Sequence, residues 1–228
     1  MNKKFALHFV AAAALATACS AAFAADTAEI RVIGRVSPGT CSIVLGNNGD
    51  FDYGTKLSNT VSNQTGSASL GVLTTNFNIT CDAETKMALE LIDSQAASKL
   101  SGTPALLGET TASDDNRFGL GTADNGNEIG AYAIGLKTAD LKVFDGQGGA
   151  VTASAIGSID VGATWAVEAG AHALFGTKKY LSWGETTGAA NAQTVSGTLD
   201  VEAAVAQASS LPADYDLNGV ATLEVKYL

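Results

Sequence analysis

Residues Ala25 to Cys41 read ADTAEIRVIGRVSPGTC, and the alternation within them decides the fold class. Ile30, Val32, Gly34 and Val36 fall on one face, and Arg31, Ile33 and Arg35 on the other. A period of two defines an extended strand with one face to bury.

Upstream, Lys3 and Lys4 precede a short apolar run from Phe5 to Ala18, and Ala22-Phe23-Ala24 forms a small-x-small site. This is the pattern of a secretory signal peptide cleaved after about Ala24, so residues 1–24 are expected to leave the chain. A competing reading takes Leu15 to Cys19 as a lipoprotein site, with Ala16 standing where a larger aliphatic residue is usual. The apolar run is short for a bilayer span, and no later segment approaches spanning length. Of the three cysteines, Cys19 belongs to the signal. An even pair remains in an oxidising compartment, which predicts a Cys41–Cys81 disulfide.

The formal charge of the whole chain is −10. Residues 1–24 hold Lys3 and Lys4 and no acid, so the remainder has 11 basic and 23 acidic residues and a charge of −12. Such a charge argues against nucleic acid and anionic lipid as partners. The remaining length of about 204 residues suits one large domain, or one domain with long insertions.

Short apolar runs then alternate with clusters of Gly, Asn, Asp, Ser and Thr, the all-β pattern. Strands are predicted over Cys41–Leu45, Phe77–Cys81, Ile129–Leu136, Lys142–Phe144, Trp165–Val167, Tyr180–Trp183 and Val195–Val201. Ala83 to Leu100 is read as a strand through Ile92 followed by a turn, with a helix along Leu89, Ile92, Ala96 and Leu100 as the alternative. Phe51 to Gly54 reads as a short extended piece, and residues 101–128 as a long loop around Arg117 to Leu120. The alanine-rich stretch from Val201 to Ala208 is compatible with a helical turn, and Asn218-Gly219 reads as a turn. The last segment alternates cleanly, with Ala221, Leu223, Val225 and Tyr227 on one face and Thr222, Glu224 and Lys226 on the other. A strand of this quality at the end of the chain is expected to keep one side uncovered.

Signatures of catalysis are sparse. Beyond residue 24 the single histidine is His172, read as a surface or loop residue, and no G-x-S-x-G is present. The cysteines are assigned to a disulfide rather than to zinc, the acidic runs near Asp114 and Asp124 lack calcium-loop spacing, and no phosphate-binding glycine motif occurs. No enzyme activity, catalytic residue, metal or cofactor is expected. Trp165 and Trp183 are read as core residues, with a sugar-stacking surface as the alternative.

The ordered set Ile30-Arg31-Val32-Ile33-Gly34-Arg35-Val36, Cys41, Phe51-Asp52-Tyr53-Gly54, Phe77-Asn78-Ile79-Thr80-Cys81 and Gly219 to Leu228 resembles the pilus subunits of the bacterial chaperone–usher pathway. The likeness is nearest to the β-fimbria major subunits, which the Gly130-Ala131-Tyr132 piece also resembles. It covers roughly residues 25–92 and 195–228; the middle is longer than in a simple rod subunit.

The resemblance implies an all-β, incomplete immunoglobulin-like sandwich over residues 41–228, completed by donor-strand complementation and carrying long loop insertions. It makes residues 25–40 a donor extension, with Ile30, Val32, Gly34 and Val36 as the inserted side chains. Ala221, Leu223, Val225 and Tyr227 become the groove strand that first meets a periplasmic chaperone. The implied partners are neighbouring copies or other pilus subunits, the chaperone, an outer-membrane usher and a host or surface receptor. The implied location is the cell-surface fimbrium. The alternative from another class is a freestanding secreted or periplasmic β-sandwich that binds carbohydrate.

Overall fold

The structure, a computed structural model, describes residues 31, 33, 40–56 and 67–228. The donor-strand residues Ile30, Val32, Gly34 and Val36 lie outside the described residues, as does the signal segment. Chain contacts divide the molecule into two units, Met1–Val36 and Ser37–Leu228. Every described strand belongs to the second unit.

These strands, numbered in chain order, form two sheets. The first sheet runs β1 (Cys41–Leu45), β2 (Ala68–Thr85), β12 (Ala192–Val205), β5 (Gly130–Lys137), β4 (Phe118–Gly119), with β6 (Lys142–Phe144) also on β12 and β9 (His172–Leu174) on β5. The second runs β13 (Ala221–Tyr227), β3 (Met87–Asp93), β10 (Tyr180–Glu185), β7 (Ser154–Ser158), β8 (Ala166–Val167), with β11 (Gly188–Ala189) on β10. Every strand pair in both sheets is antiparallel. The only helical pieces among the described residues are short 3-10 turns. The molecule is therefore all-β.

The longest strand shows how the sequence writes this. In β2, Phe77, Ile79 and Cys81 are buried while Asn78, Thr80 and Asp82 are exposed, one solvated face against one core face. The chain then leaves the first sheet at Lys86 and enters the second as β3. Its continuous burial (Met87, Ala88, Leu89, Leu91) fits the near-unbroken apolar run there. Side chains from both sheets, including Phe77, Ile79, Leu89, Leu181, Trp183 and Val195, meet in one core. The predicted disulfide joins Cys41 to Cys81, which are directly opposite in the β1–β2 register.

Several sequence expectations are corrected. The alanine run is strand as far as Val205, where β12 ends, because its small side chains are buried on both faces; a 3-10 turn begins only at Ala208. Val201, Ala203 and Val205 face the main core, and Ala204 packs under Leu106 and Leu107 from the 101–109 loop. Asn218-Gly219 is not a turn either. Gly219 is needed for close approach, since a Cβ there would lie 2.7 Å from Tyr132 Cε1. Trp183 fills the core as expected, whereas Trp165 stays half exposed beside the turn at Gly162.

His172 is a tie rather than a loose surface residue. Its Nδ1 lies 2.9 Å from Leu107 O and its Nε2 2.7 Å from Asp200 Oδ2, binding the 101–109 loop to β12. The same loop is anchored by a buried ion pair between Arg117 and Glu109. Arg117 also donates through Nε to Thr103 Oγ1 at 3.0 Å and through Nη2 to Pro104 O at 2.9 Å. Burial tends to raise the Glu109 carboxyl. The hydrogen bonds from Arg117, Asn116 and Leu106 N, with the guanidinium charge, outweigh it and hold the group below its ordinary value of 4.5.

A depressed carboxyl contributes stability that is present above the unfolded value and lost as pH falls through the folded one. Glu109→Gln is therefore expected to destabilise the fold at pH 7 by about 2 kcal/mol, the scale of a hydrogen bond to a buried charge. The gap from wild type should close as pH falls below 4.5 towards and past the lowered folded value. Urea melts at neutral and acid pH measure this; a gap constant across that range would contradict it.

Candidate functional site

The two sheets stop at different kinds of edge. Among the described residues β1 pairs only with β2, and β13 only with β3. These two free edges border a cleft of about 1230 Å³ that opens between the sheets. Leu45 and Leu70 line it from the first sheet and Leu91, Ala221 and Leu223 from the second, with Leu120, Tyr132, Ile134, Leu199 and Val201 deeper. Leu45, Leu70, Ala221 and Leu223 pack on the core yet remain only partly covered. The cleft, a slot between the two edges, is lined by these apolar side chains together with Asp50, Asp52, Asp124, Asp214 and Asp216.

One end of the slot is closed. The backbone amide of Cys41, on β1, donates to the hydroxyl of Tyr227, on β13, at 2.9 Å. Leu228 N donates to Lys86 O at 3.1 Å just beyond. From that tie, β1 runs towards Leu45 and β13 runs back towards Leu223 and Ala221, the residues of these strands that line the slot. The two strands are tied at Cys41 and Tyr227, the closed end, and the slot opens beyond the tie, at Leu45 on β1 and at Leu223 and Ala221 on β13.

The four residues named from sequence as a groove strand, Ala221, Leu223, Val225 and Tyr227, lie on β13. Ala221, Leu223 and Val225 pack against the core from β13, and Tyr227 supplies the closing hydroxyl. In register, Leu223 lies opposite Leu91, Val225 opposite Leu89 and Tyr227 opposite Met87. The apolar row continues upstream of the strand, since Tyr215 and Leu217 also pack on the core while Asp214 and Asp216 are exposed. Sequence reasoning misses this extension, although its period of two can be counted from Tyr215 onward.

The Phe51 to Gly54 piece forms no strand, but it is fixed as part of the slot's rim. The Tyr53 hydroxyl accepts from Ala203 N at 3.0 Å and lies 3.1 Å from Val201 O and 3.2 Å from Gly71 O. Burial pushes its phenol up to about 12, only partly countered by the Ala203 hydrogen bond. Tyr53 so clamps the segment after β1 to β12, where the β2–β12 register shifts between Glu202 and Ala204.

Among the described residues no group of three or more His, Cys, Asp or Glu side chains is placed to hold a metal ion. No helix among them is long and apolar enough to cross a membrane. The slot offers apolar contact and two free backbone edges, the recognition chemistry for an extended peptide segment.

The class so defined is an all-β protein of two antiparallel sheets with an open slot between edge strands. A family model described as "Protein of unknown function (DUF1120)" matches residues 30–133. The match starts at the first apolar residue of the alternating N-terminal stretch and ends within β5. The chain is also similar to Protein GltF of Escherichia coli (strain K12), with 34% identity over 142 residues. That similarity takes in 54% of this chain and 54% of the relative, so the chain spans about half the length of the protein it matches.

Proposed function

We propose that this chain is a structural subunit of a chaperone–usher fimbria, an incomplete immunoglobulin-like sandwich completed by a strand from a neighbouring copy. The observation that carries the reading is the slot between the free edges of β1 and β13, with its partly covered Leu45, Leu70, Ala221 and Leu223. An extended segment entering it satisfies backbone groups on the free edges and buries alternate side chains. The stretch with the right pattern is the chain's own 25–36, with Ile30, Val32 and Val36 in one apolar row. Burial of three aliphatic side chains at about 1.5–3 kcal/mol each gives a gross gain of about 5–9 kcal/mol.

Export fits the same picture. Residues 1–24 have the form of a signal peptide, and the Cys41–Cys81 disulfide belongs to an oxidising compartment. In the periplasm a chaperone occupies the slot first. At the outer-membrane usher the extension of the next subunit replaces it. The contact is head-to-tail and does not close on itself, so it propagates a filament on the cell surface, where fimbriae serve adhesion.

Gly34 is the residue on which this turns most sharply. It interrupts the apolar row, so the slot position facing it has no side chain to receive. Gly34→Leu is expected to abolish fibre formation, seen by electron microscopy, while chaperone capture of the subunit persists in pull-down. Normal fibres from the variant would refute the assignment.

A further inference from the structure

The open end of the slot is strongly acidic. Asp50, Asp52, Asp124, Asp214 and Asp216 all line it and are exposed, against the single cation Lys56 among the described lining residues. They come from three separate segments, so no local run of charge in the sequence announces the cluster. Asp214 and Asp216 alternate with the core-packed Tyr215 and Leu217, which sets their carboxylates at the lip. The closed end is mixed instead, with Lys86 and Lys226 beside Asp82, Glu90 and Glu224. Lys226 Nζ lies 3.1 Å from Glu90 Oε2 and 2.5 Å from Glu224 Oε2, and Lys86 stands at the neighbouring corner.

The N-terminal segment is itself polar along its length. Asp26 and Glu29 occupy its first half, and Arg31 and Arg35 its second. We infer that the acidic rim selects the polarity with which residues 25–36 of a second copy enter the slot, taking Arg35 at the Asp214–Asp216 lip and leaving Asp26 and Glu29 towards Tyr227. This rests on the reading that a neighbouring copy's extension fills the slot. In that orientation the segment runs antiparallel to β13 and Val36 comes to rest near Ala221. The reverse entry places two acids among five carboxylates, and like charges at close range are a recognised means of rejecting a wrong arrangement.

The rim also answers a difficulty of assembly. Two chains that each carry −12 after loss of residues 1–24 repel one another at long range. A local pairing of Arg35 with the rim supplies attraction at the point of entry, and steering of this kind acts mainly on the association rate.

The test uses the chain from Ala25 to Leu228, with fibre growth followed by light scattering at low salt. Arg35→Glu alone, and Asp214→Lys with Asp216→Lys, are each expected to slow growth about tenfold. Combining all three reversals restores growth to within about threefold of wild type, and about 0.5 M salt flattens the differences. Polarity is read by cross-linking: Val36→Cys with Ala221→Cys forms an intermolecular disulfide, and Ile30→Cys with Ala221→Cys does not. Wild-type growth in the separate reversals, no recovery in the combination, or cross-linking through position 30 rather than 36 would overturn the inference while leaving strand exchange intact. Growth unaffected by deletion of residues 25–36 would overturn both.

Discussion

Moving residues 25–36 from the front of the chain to a position behind Leu228, on a short flexible linker, is expected to turn a polymerising protein into a stable monomer. β13 ends at Tyr227 beside the closed end of the slot, so a segment returning from Leu228 enters as the second arm of a hairpin. It then runs antiparallel to β13 and ends near the acidic rim, the same path inferred for the neighbour's extension. The intramolecular strand has a high effective concentration and outcompetes any second copy. The unmodified chain from Ala25, expressed without a chaperone, should aggregate or form fibres. Size-exclusion chromatography with light scattering distinguishes the two, and thermal unfolding should show one cooperative transition only for the relocated form. A well-behaved monomer from the unmodified chain would remove the basis of the proposed function.

The relocated form is expected to gain stability as well as monomeric state. The gross burial gain of about 5–9 kcal/mol is reduced by the entropy of ordering roughly a dozen residues, at about 1–2 kcal/mol for each backbone fixed. Backbone pairing along β1 and β13 must supply the remainder. This is why the segment needs both its apolar row and an extended backbone, and why a proline placed at Val32 should fail where Ile30→Val is tolerated.

Legibility in the sequence depends on which signals are local. The alternation in Phe77–Cys81 marks a strand and its buried face, because each face meets a single kind of environment, whereas that in Ala221–Tyr227 marks a strand whose apolar row is only partly covered. The cysteine pair is readable by counting, and it lies in register across β1 and β2. The alanine run at 201–206 is not, since a strand buried on both faces has no alternation, and the cover over Ala204 comes from a loop about 95 residues earlier. Gly219 deceives because a glycine that admits the Tyr132 ring looks the same in sequence as one that makes a turn. The slot's walls are half legible: β13 reads as uncovered, but Leu70 and the rim acids join it only through the tertiary fold.

The disulfide is where stability and the slot depend on the same bond. It closes a loop spanning 40 residues, for which the chain-entropy model gives about 4 kcal/mol. β1 is five residues long and, among the described strands, pairs with β2 alone. It is also tied by the Tyr227 hydroxyl at Cys41 N, by the bonds of Thr40 Oγ1 and Thr40 O to Asp82 at 2.9 and 3.0 Å, and by partial packing of Ile43 and Leu45 on the core. Replacing Cys41 and Cys81 together with alanine in the relocated monomer is expected to lower its stability by about 4 kcal/mol, measured by urea denaturation. The same replacement in the unmodified chain should reduce fibre yield further than stability alone requires, because fraying β1 dismantles one wall of the slot and frees the closing tyrosine. An unchanged urea midpoint would show that β1 is held by its pairing with β2 and not by the covalent link. Equal fibre yield at lower stability would show that the β1 edge takes no part in receiving the strand.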